Sequence, residues 1–369
     1  PTEATDVAWW RTAVIYQVYP RSWADSDGDG VGDLPGIIDR LPYLRELGVD
    51  ALWLSPFYVS PMNDAGYDVA DYEDIDPLFG TLEDADWLIG TAHDLGLRII
   101  VDLVPNHSSS EHPWFQAALA AAPGSPERER YVFRDWLGPD GSEPPSDWLS
   151  VFGGPGWSRV TEPDGRPGQW YLHLFDVTQP DFNWHNPEVV AAFHGHLRFW
   201  LDRGVDGFRV DVAHSLFKDM TFPSWPYGGE MLVPEHIHSS TGPMWDLDEV
   251  HEVYRGWREI LDEYATPGDP STDRILCAEA WVSPPSRLAR YVRPDEMHQA
   301  FNFDFLEAGW DAERLGPVIA DSYARNDEVG APTTWVLSNH DVVRHASRFG
   351  LPDPTHRPNG IGPDDIQPD

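Results

Sequence analysis

A chain of 369 residues can bury a large core, and the length suits one big α/β domain or two smaller ones. Its 62 acidic residues against 25 basic ones give a formal charge of −37, which repels nucleic acid and anionic membranes and favours a neutral or cationic ligand. A single cysteine, Cys277, excludes an intrachain disulfide and fits a reducing, cytoplasmic setting, with secretion left open.

The acidic residues are scattered, which argues against a disordered acidic tail. No long apolar run of membrane-spanning length appears, and no cleavable signal stands at the N-terminus as given. The 18 tryptophans are many for this length; indole stacks well on the apolar faces of sugar rings, although packing accounts for most of them.

The 13–19 stretch (AVIYQVY) is β-branched and aromatic and predicts a first strand. Asp25, Asp27, Asp29 and Asp33 then alternate with Gly28, Gly30 and Gly32. Alternating carboxylates on a glycine-bent loop make an oxygen-rich cradle for a hard cation. With Gly36 where an EF-hand places its bidentate glutamate, and no helix pair around it, the loop reads as a structural site for Ca²⁺, or Mg²⁺. The expected ligands are the side chains of Asp25, Asp27, Asp29 and Asp33 and the carbonyl of Val31.

Ile37, Leu41, Leu44 and Leu47 fall at helical spacing, and Gly48 ends that helix. A second strand is expected over 49–54 and a long loop over 55–80, carrying Gly66, Tyr67 and Asp68. Thr81 can cap a helix running to Leu95, with Glu83 and Asp84 in its first turn. A third strand over 97–103 holds Asp102 near its end. Strands and helices alternating at this spacing predict right-handed βαβ units and a parallel sheet. The strands are almost continuously apolar, as strands covered on both faces must be.

The rhythm stops over 108–174, which is rich in Pro, Gly, Trp and charge and too long for a plain loop; an inserted subdomain is expected. It resumes with a helix over 187–203 and a strand opening at Gly207. Further helices are expected over 249–264, 284–291 and 313–325, and strands over 275–279, 299–303 and 333–337. That makes seven strands with polar residues gathered at their C-terminal ends, the face that carries the site in a (β/α)8 TIM barrel. An eighth strand is missing, because the sequence beyond residue 348 is rich in proline, glycine and aspartate. The chain therefore reads as part of a longer protein, or as one piece of a cleaved one.

Residues 207–214 read GFRVDVAH. Period two places Arg209 and Asp211 on one face of a buried strand, which is costly unless they form a structural ion pair or serve a site. Asp102, Asp211, Glu279 and Asp341 all sit at or just past a hydrophobic strand, so a barrel brings four carboxylates together. A carboxyl pair with one member protonated is the equipment for breaking a glycosidic bond, and crowding raises the acid's pKa. His107, His340 and Arg209 supply donors and positive charge. A divalent-metal hydrolase fits less well, because these histidines are not at metal-ligand spacing with the acids.

Four segments together resemble the signature regions of the α-amylase superfamily, glycoside hydrolase family 13. They are 102–107 (DLVPNH), 207–214, 278–281 (AEAW) and 338–341 (SNHD). The likeness runs from about Trp10 to Phe349, and 179–184 (QPDFNW) resembles the segment that marks the exo-acting α-glucosidase and oligo-1,6-glucosidase branch.

The resemblance implies that Asp211 is the nucleophile, Glu279 the general acid/base, and Asp341 a third carboxylate that binds sugar hydroxyls. Arg209 orients Asp211, while Tyr67, Asp68, His107, His340 and Phe175 line the −1 sugar subsite. The loop around Asp25 becomes a glucosidase-type calcium site. The implied layout is barrel over 1–107, an inserted B domain over 108–174, and barrel again over 175–369, incomplete at its C-terminal end. The eighth strand, a C-terminal β-sandwich and an arginine partner for Asp68 are expected on a second polypeptide.

The implied activity is that of a retaining exo-α-glucosidase acting on short α-glucosides of maltose or isomaltose type, with transglucosylation allowed. Val212, after the nucleophile, leans toward α-1,6 bonds. A trehalose synthase-like isomerase uses the same residues, and a non-catalytic transport partner of the family is the reading from another class.

Overall fold

The computed structural model describes residues 7–138, 141–225 and 242–349. Six parallel strands form one sheet: β1 (Ile15–Val18), β2 (Ala51–Leu54), β3 (Arg98–Leu103), β4 (Gly207–Val210), β5 (Ile275–Ala278) and β6 (Gln299–Ala300), paired in that order. All six lie within segments whose β-branched and apolar content predicts strands. The expected seventh strand is reduced to one parallel bridge, Phe301 to Thr334. The sheet curls, so its two ends approach: Arg11 donates to the Gly330 carbonyl at 2.9 Å, and Gln17 Nε2 lies 2.9 Å from His340 Nδ1.

Period two sorts the strand side chains into two layers. Ala51, Trp53, Ile100, Ile275 and Cys277 pack inside the curl with Phe301 and Phe303. Their alternates Leu52, Leu54, Ile99, Val101, Phe208, Val210 and Leu276 pack outward against helices. Every residue of β2, β4 and β5 is buried, which explains the continuous apolar runs.

The outer layer consists chiefly of α1 (Leu34–Leu47), α2 (Leu82–Asp94), α3 (Pro187–Asp202), α4 (Val250–Asp262) and α5 (Ala312–Val329). Gly48 ends α1 at φ 87°, donating back to the carbonyls of Leu44 and Arg45, a conformation that favours glycine. Thr81 and Asp84 form a reciprocal capping box on α2, a cap that contributes about 1 kcal/mol. Gly207 is required at the start of β4, since a Cβ there would lie 2.5 Å from the Ile275 carbonyl oxygen.

Three further expected elements differ. The helix over 284–291 is a short turn of helix (Pro285–Leu288) followed by a 3₁₀ turn (Ala289–Val292). The 299–303 strand stops at Ala300, because Asn302 caps a new helix, Phe303–Glu307, by accepting from the Phe305 N–H. The 55–80 loop contains an antiparallel pair, Tyr58–Val59 with Asp71–Ile75.

Segment 108–174 carries a helix (Pro113–Ala120) and a three-stranded antiparallel sheet in which Pro167–Leu172 lies between Phe133–Arg134 and Trp157–Thr161. The polar tail expected over 350–369 lies outside the described residues.

Candidate active site

Register builds the site. Arg209 is level with Asp102 on one side and Cys277 on the other. Two residues further along their chains, Asp211 and Glu279 emerge at the C-terminal ends of β4 and β5. The Arg209 guanidinium lies among three carboxylates, donating to Asp102 Oδ1 at 2.8 Å, Asp211 Oδ1 at 2.7 Å and Glu279 Oε2 at 2.5 Å. All four groups are buried. Trp53 Nε1 and the Tyr67 hydroxyl donate to Asp102 Oδ2 at 3.1 and 2.9 Å, and the Arg209 guanidinium faces the rings of both aromatics.

One cation among three acids leaves an excess of buried negative charge, and proton affinity rises accordingly. Burial, opposed by Arg209 and reinforced by Glu279 and Asp102, lifts Asp211 well above the ordinary carboxylate range. Burial also raises Asp102, to about 6. Burial works against the charge on Arg209, but Asp102, Glu279, Tyr67 and Asp211 together hold it protonated. Asp211 and Glu279 are close enough to hydrogen-bond through a shared proton. The raised proton affinity thus falls on Asp211, beside the residue expected to be the acid. Burial pushes the Cys277 thiol up to about 12, so it offers no thiolate at neutral pH.

The residue after Asp211 carries strain. Val212 has φ 43°, rare for a β-branched side chain, and its N–H donates to Glu279 Oε2 at 3.1 Å. Its side chain lies in one buried cluster with Trp148, Trp157, Phe175, Met244 and Trp245, so the residue after Asp211 packs with tryptophans of the 108–174 segment.

Tyr67 stacks on His340 with ring centroids 5.1 Å apart. Burial and Arg209 lower His340 to about 3, and burial lowers His107 to about 4, so both are neutral at pH 7. Phe175 packs against His107 at 5.0 Å between ring centroids. Asp341 lies 3.2 Å from His340 Nε2, with 46% of its side chain exposed. It bonds to neither Asp211 nor Glu279, yet burial by the surrounding protein raises its pKa while Arg209 and Arg344 oppose. Asp68 is wholly buried and accepts from Ser60 Oγ, Asn63 N and Asp64 N at 2.9–3.0 Å.

Several participants carried no sequence signal of their own. Trp53 sits inside an ordinary apolar strand. Lys218, seven residues past Asp211, forms a buried pair with Asp181 at 2.9 Å and donates to Asn106 Oδ1 at 2.7 Å. Asn106 Nδ2 in turn lies 3.2 Å from His107 Nδ1. Asp64 joins the network through a side chain that no periodicity marks, accepting from Gln179 Nε2 of the 179–184 segment at 2.8 Å.

In the acidic loop, one carboxylate oxygen from each of Asp25, Asp27 and Asp29 lies within 4.8 Å of the others, a hard-oxygen donor set that suits calcium or magnesium. Asp33 stands apart. Its Oδ1 caps α1 through the Gly36 N–H at 2.6 Å, and its Oδ2 takes both Ser26 N and Ser26 Oγ.

A family model described as "Alpha amylase, catalytic domain" matches residues 17–357. A "Probable alpha-glucosidase" of Rhizobium meliloti (strain 1021) is 42% identical over 93% of this chain and 62% of its own length. An "Oligo-1,6-glucosidase" of Heyndrickxia coagulans is 39% identical over 95% of this chain and 62% of its own. Among solved structures, an alpha-glucosyl transfer enzyme, XgtA, superposes with a TM-score of 0.82 at 40% identity, covering 93% of this chain and 63% of that one. The chain thus spans about three-fifths of the length of these relatives. With its curled parallel sheet and the acids at the strand ends, the chain belongs to the alpha-amylase catalytic-domain family.

Proposed function

We propose that the protein is a retaining exo-α-glucosidase that removes glucose from the non-reducing end of short α-glucosides of maltose or isomaltose type. The observation that carries this reading is the single guanidinium of Arg209 bridging Asp211 and Glu279 at the ends of adjacent strands. Glu279 gives its proton to the glycosidic oxygen as that bond breaks, while the Asp211 carboxylate bonds to the anomeric carbon. Water then adds at that carbon, yields a proton to Glu279 and releases Asp211. Arg209 steadies the charge that moves between the two acids. Tyr67, His107, Phe175 and His340 line the glucose subsite in this scheme, and Asp68 and Asp341 accept its hydroxyls.

A sugar replacing water at the second step gives transglucosylation, a reading that the name of the alpha-glucosyl transfer enzyme favours. Incubation with maltose, followed by a search for trehalose, separates hydrolysis from isomerisation of the trehalose synthase type. A non-catalytic transport partner would have no need of the acids retained here.

Asp25, Asp27 and Asp29, with the Val31 carbonyl, hold a structural Ca²⁺, or Mg²⁺, in this account, and Asp33 holds the loop to α1. Among the described residues α5 buries only Ser322, and Trp310 and Tyr323 nearby stay 69% and 52% exposed. Cys277, the chain's one cysteine, is buried and free, which fits a cytoplasmic location. Among the described residues no helix is long and apolar enough to cross a membrane.

Replacing Asp211 by Ala tests the reading. Hydrolysis of maltose and of p-nitrophenyl α-glucoside is expected to fall by at least about 10⁴-fold with the fold retained; near-normal turnover would reject it.

A further inference from the structure

A groove that shares no residue with the Arg209 cluster or the sugar subsite has no task in the scheme above. Its volume of about 420 Å³ falls within the range of about 300–1,000 Å³ usual for small-molecule sites. Three parts of the chain meet in it. Glu129 and Arg134 come from the inserted segment, His185 and Asn186 from the stretch that leads into α3, and Met220 from the loop after β4.

The polar groups of the groove are held in place yet left open. Arg134 is half-buried, its Nη1 donating to the Phe133 carbonyl at 2.6 Å and its guanidinium lying over the Phe222 ring at 5.1 Å. Among the described residues it forms no ion pair, and its Nε and Nη2 find no acceptor. Asn186 spends its Oδ1 on the Glu188 N–H at 2.9 Å as the cap of α3, which leaves its Nδ2 to donate. The His185 ring stands edge-on to Phe217, with centroids 5.0 Å apart, and its Nδ1 has no partner among the described residues. The exposed Glu129 carboxylate accepts no hydrogen bond from them either, and half-buried Met220 supplies apolar lining.

This set does not suit an anion. The charges acting on Arg134 are Glu129 and Asp135, so negative charge already surrounds the guanidinium. The N-terminus of α3 adds no pull, because Pro187 has no N–H, Asn186 takes that of Glu188, and the Glu188 carboxylate itself sits in the first turn. The net charge of −37 repels anions as well. A neutral ligand with hydroxyls along its edge and C–H groups on its face matches donors, acceptor and apolar lining together.

We propose that the groove is a second saccharide-binding site, in which Arg134 and Asn186 donate to hydroxyls, Glu129 accepts from them, and His185 and Met220 carry the apolar face of the sugar. With one carboxylate and no acid pair, it binds without cleaving.

The test counts maltose by equilibrium dialysis on the Asp211→Asn protein, prepared with any chain that accompanies it, where the catalytic site counted rests on the α-glucosidase reading. Two maltose molecules per chain are expected. Adding Arg134→Ala is expected to weaken one of the two at least about tenfold, as for losing a bond to a charged donor, and adding His185→Ala from the other wall to weaken the same one. With Asp211 restored, both variants keep kcat and KM on p-nitrophenyl α-glucoside within about twofold of the parent.

A single maltose per chain that neither substitution weakens overturns the proposal and leaves the glucosidase reading standing. Displacement of the Arg134-dependent maltose by equimolar inorganic phosphate marks an anion site and overturns it too. A parent protein that cleaves no glucoside, yet whose bound maltose depends on Arg134, overturns the glucosidase reading and supports the groove.

Discussion

Tyr67 lies flat against His340, the ring planes 5° apart and the centroids separated by 5.1 Å. One ring comes from the loop after β2 and the other from the segment after the Thr334 bridge. The stack therefore joins the early part of the barrel to its late part across the mouth. The Tyr67 hydroxyl then reaches down to Asp102 Oδ2 at 2.9 Å, which ties the stack to the Arg209 cluster.

Tyr67→Phe keeps the stack and removes the hydroxyl from a buried acceptor, a loss of about 1–3 kcal/mol. Asp102 retains Trp53 and Arg209, so the effect on stability is expected at the lower end, with kcat/KM down about tenfold. Tyr67→Ala removes the stack as well and is expected to cost about a hundredfold in kcat/KM. Steady-state kinetics on both variants check the order; equal effects would place the contribution in the hydroxyl alone.

Arg209→Met leaves three buried carboxylates without their cation. Breaking a buried pair in this way costs about 3–5 kcal/mol, so a large drop in melting temperature is expected together with loss of turnover. Arg209→Lys keeps the charge but cannot bridge Asp211 and Glu279 with two nitrogens, so it is expected to recover stability more than activity. Thermal unfolding and kinetics run side by side distinguish the two effects.

His107 is neutral and buried, with its pKa lowered to about 4 from an ordinary 6.5. The unfolded chain thus binds more protons between those values, and stability falls as pH drops from about 6.5 toward 4. At pH 5 this one group accounts for about 2 kcal/mol. His107→Gln is expected to shrink the stability difference between pH 7 and pH 5 by that amount, measured by urea unfolding. An unchanged difference would show that other groups set the acid sensitivity.

The proposed calcium site in the Asp25 loop has a direct readout. Chelation is expected to lower the melting temperature, and added calcium to restore it. Asp27→Ala is expected to abolish the calcium response; Asp33→Ala should keep it while costing about 1 kcal/mol through loss of the α1 cap. Differential scanning calorimetry with and without calcium tells the two positions apart.

The parallel sheet was legible because its strands are apolar on both faces, a pattern that survives without any tertiary knowledge. The acids at the strand ends were legible for the same reason, since each follows a recognisable strand. Short elements were less so. β6 shrank to two residues because Asn302 caps a helix immediately after it, and the seventh strand became the Thr334 bridge. Local propensity cannot weigh a capping side chain against a ladder bond. Asp64 and Lys218 were invisible as site residues because they act from loops, where only three-dimensional contact marks them. Asp33 shows the converse: its spacing suggested a cation ligand, and its oxygens serve α1 and Ser26.

The central claim is that Asp211 bonds covalently to the sugar. Reaction with 5-fluoro-α-D-glucosyl fluoride, followed by proteolysis and mass spectrometry, reads this directly. The account predicts one fluoroglucosyl group on the peptide containing Asp211, absent after Asp211→Asn. A label on another carboxylate, or measurable turnover of the reagent with no trapped sugar at Asp211, would contradict it.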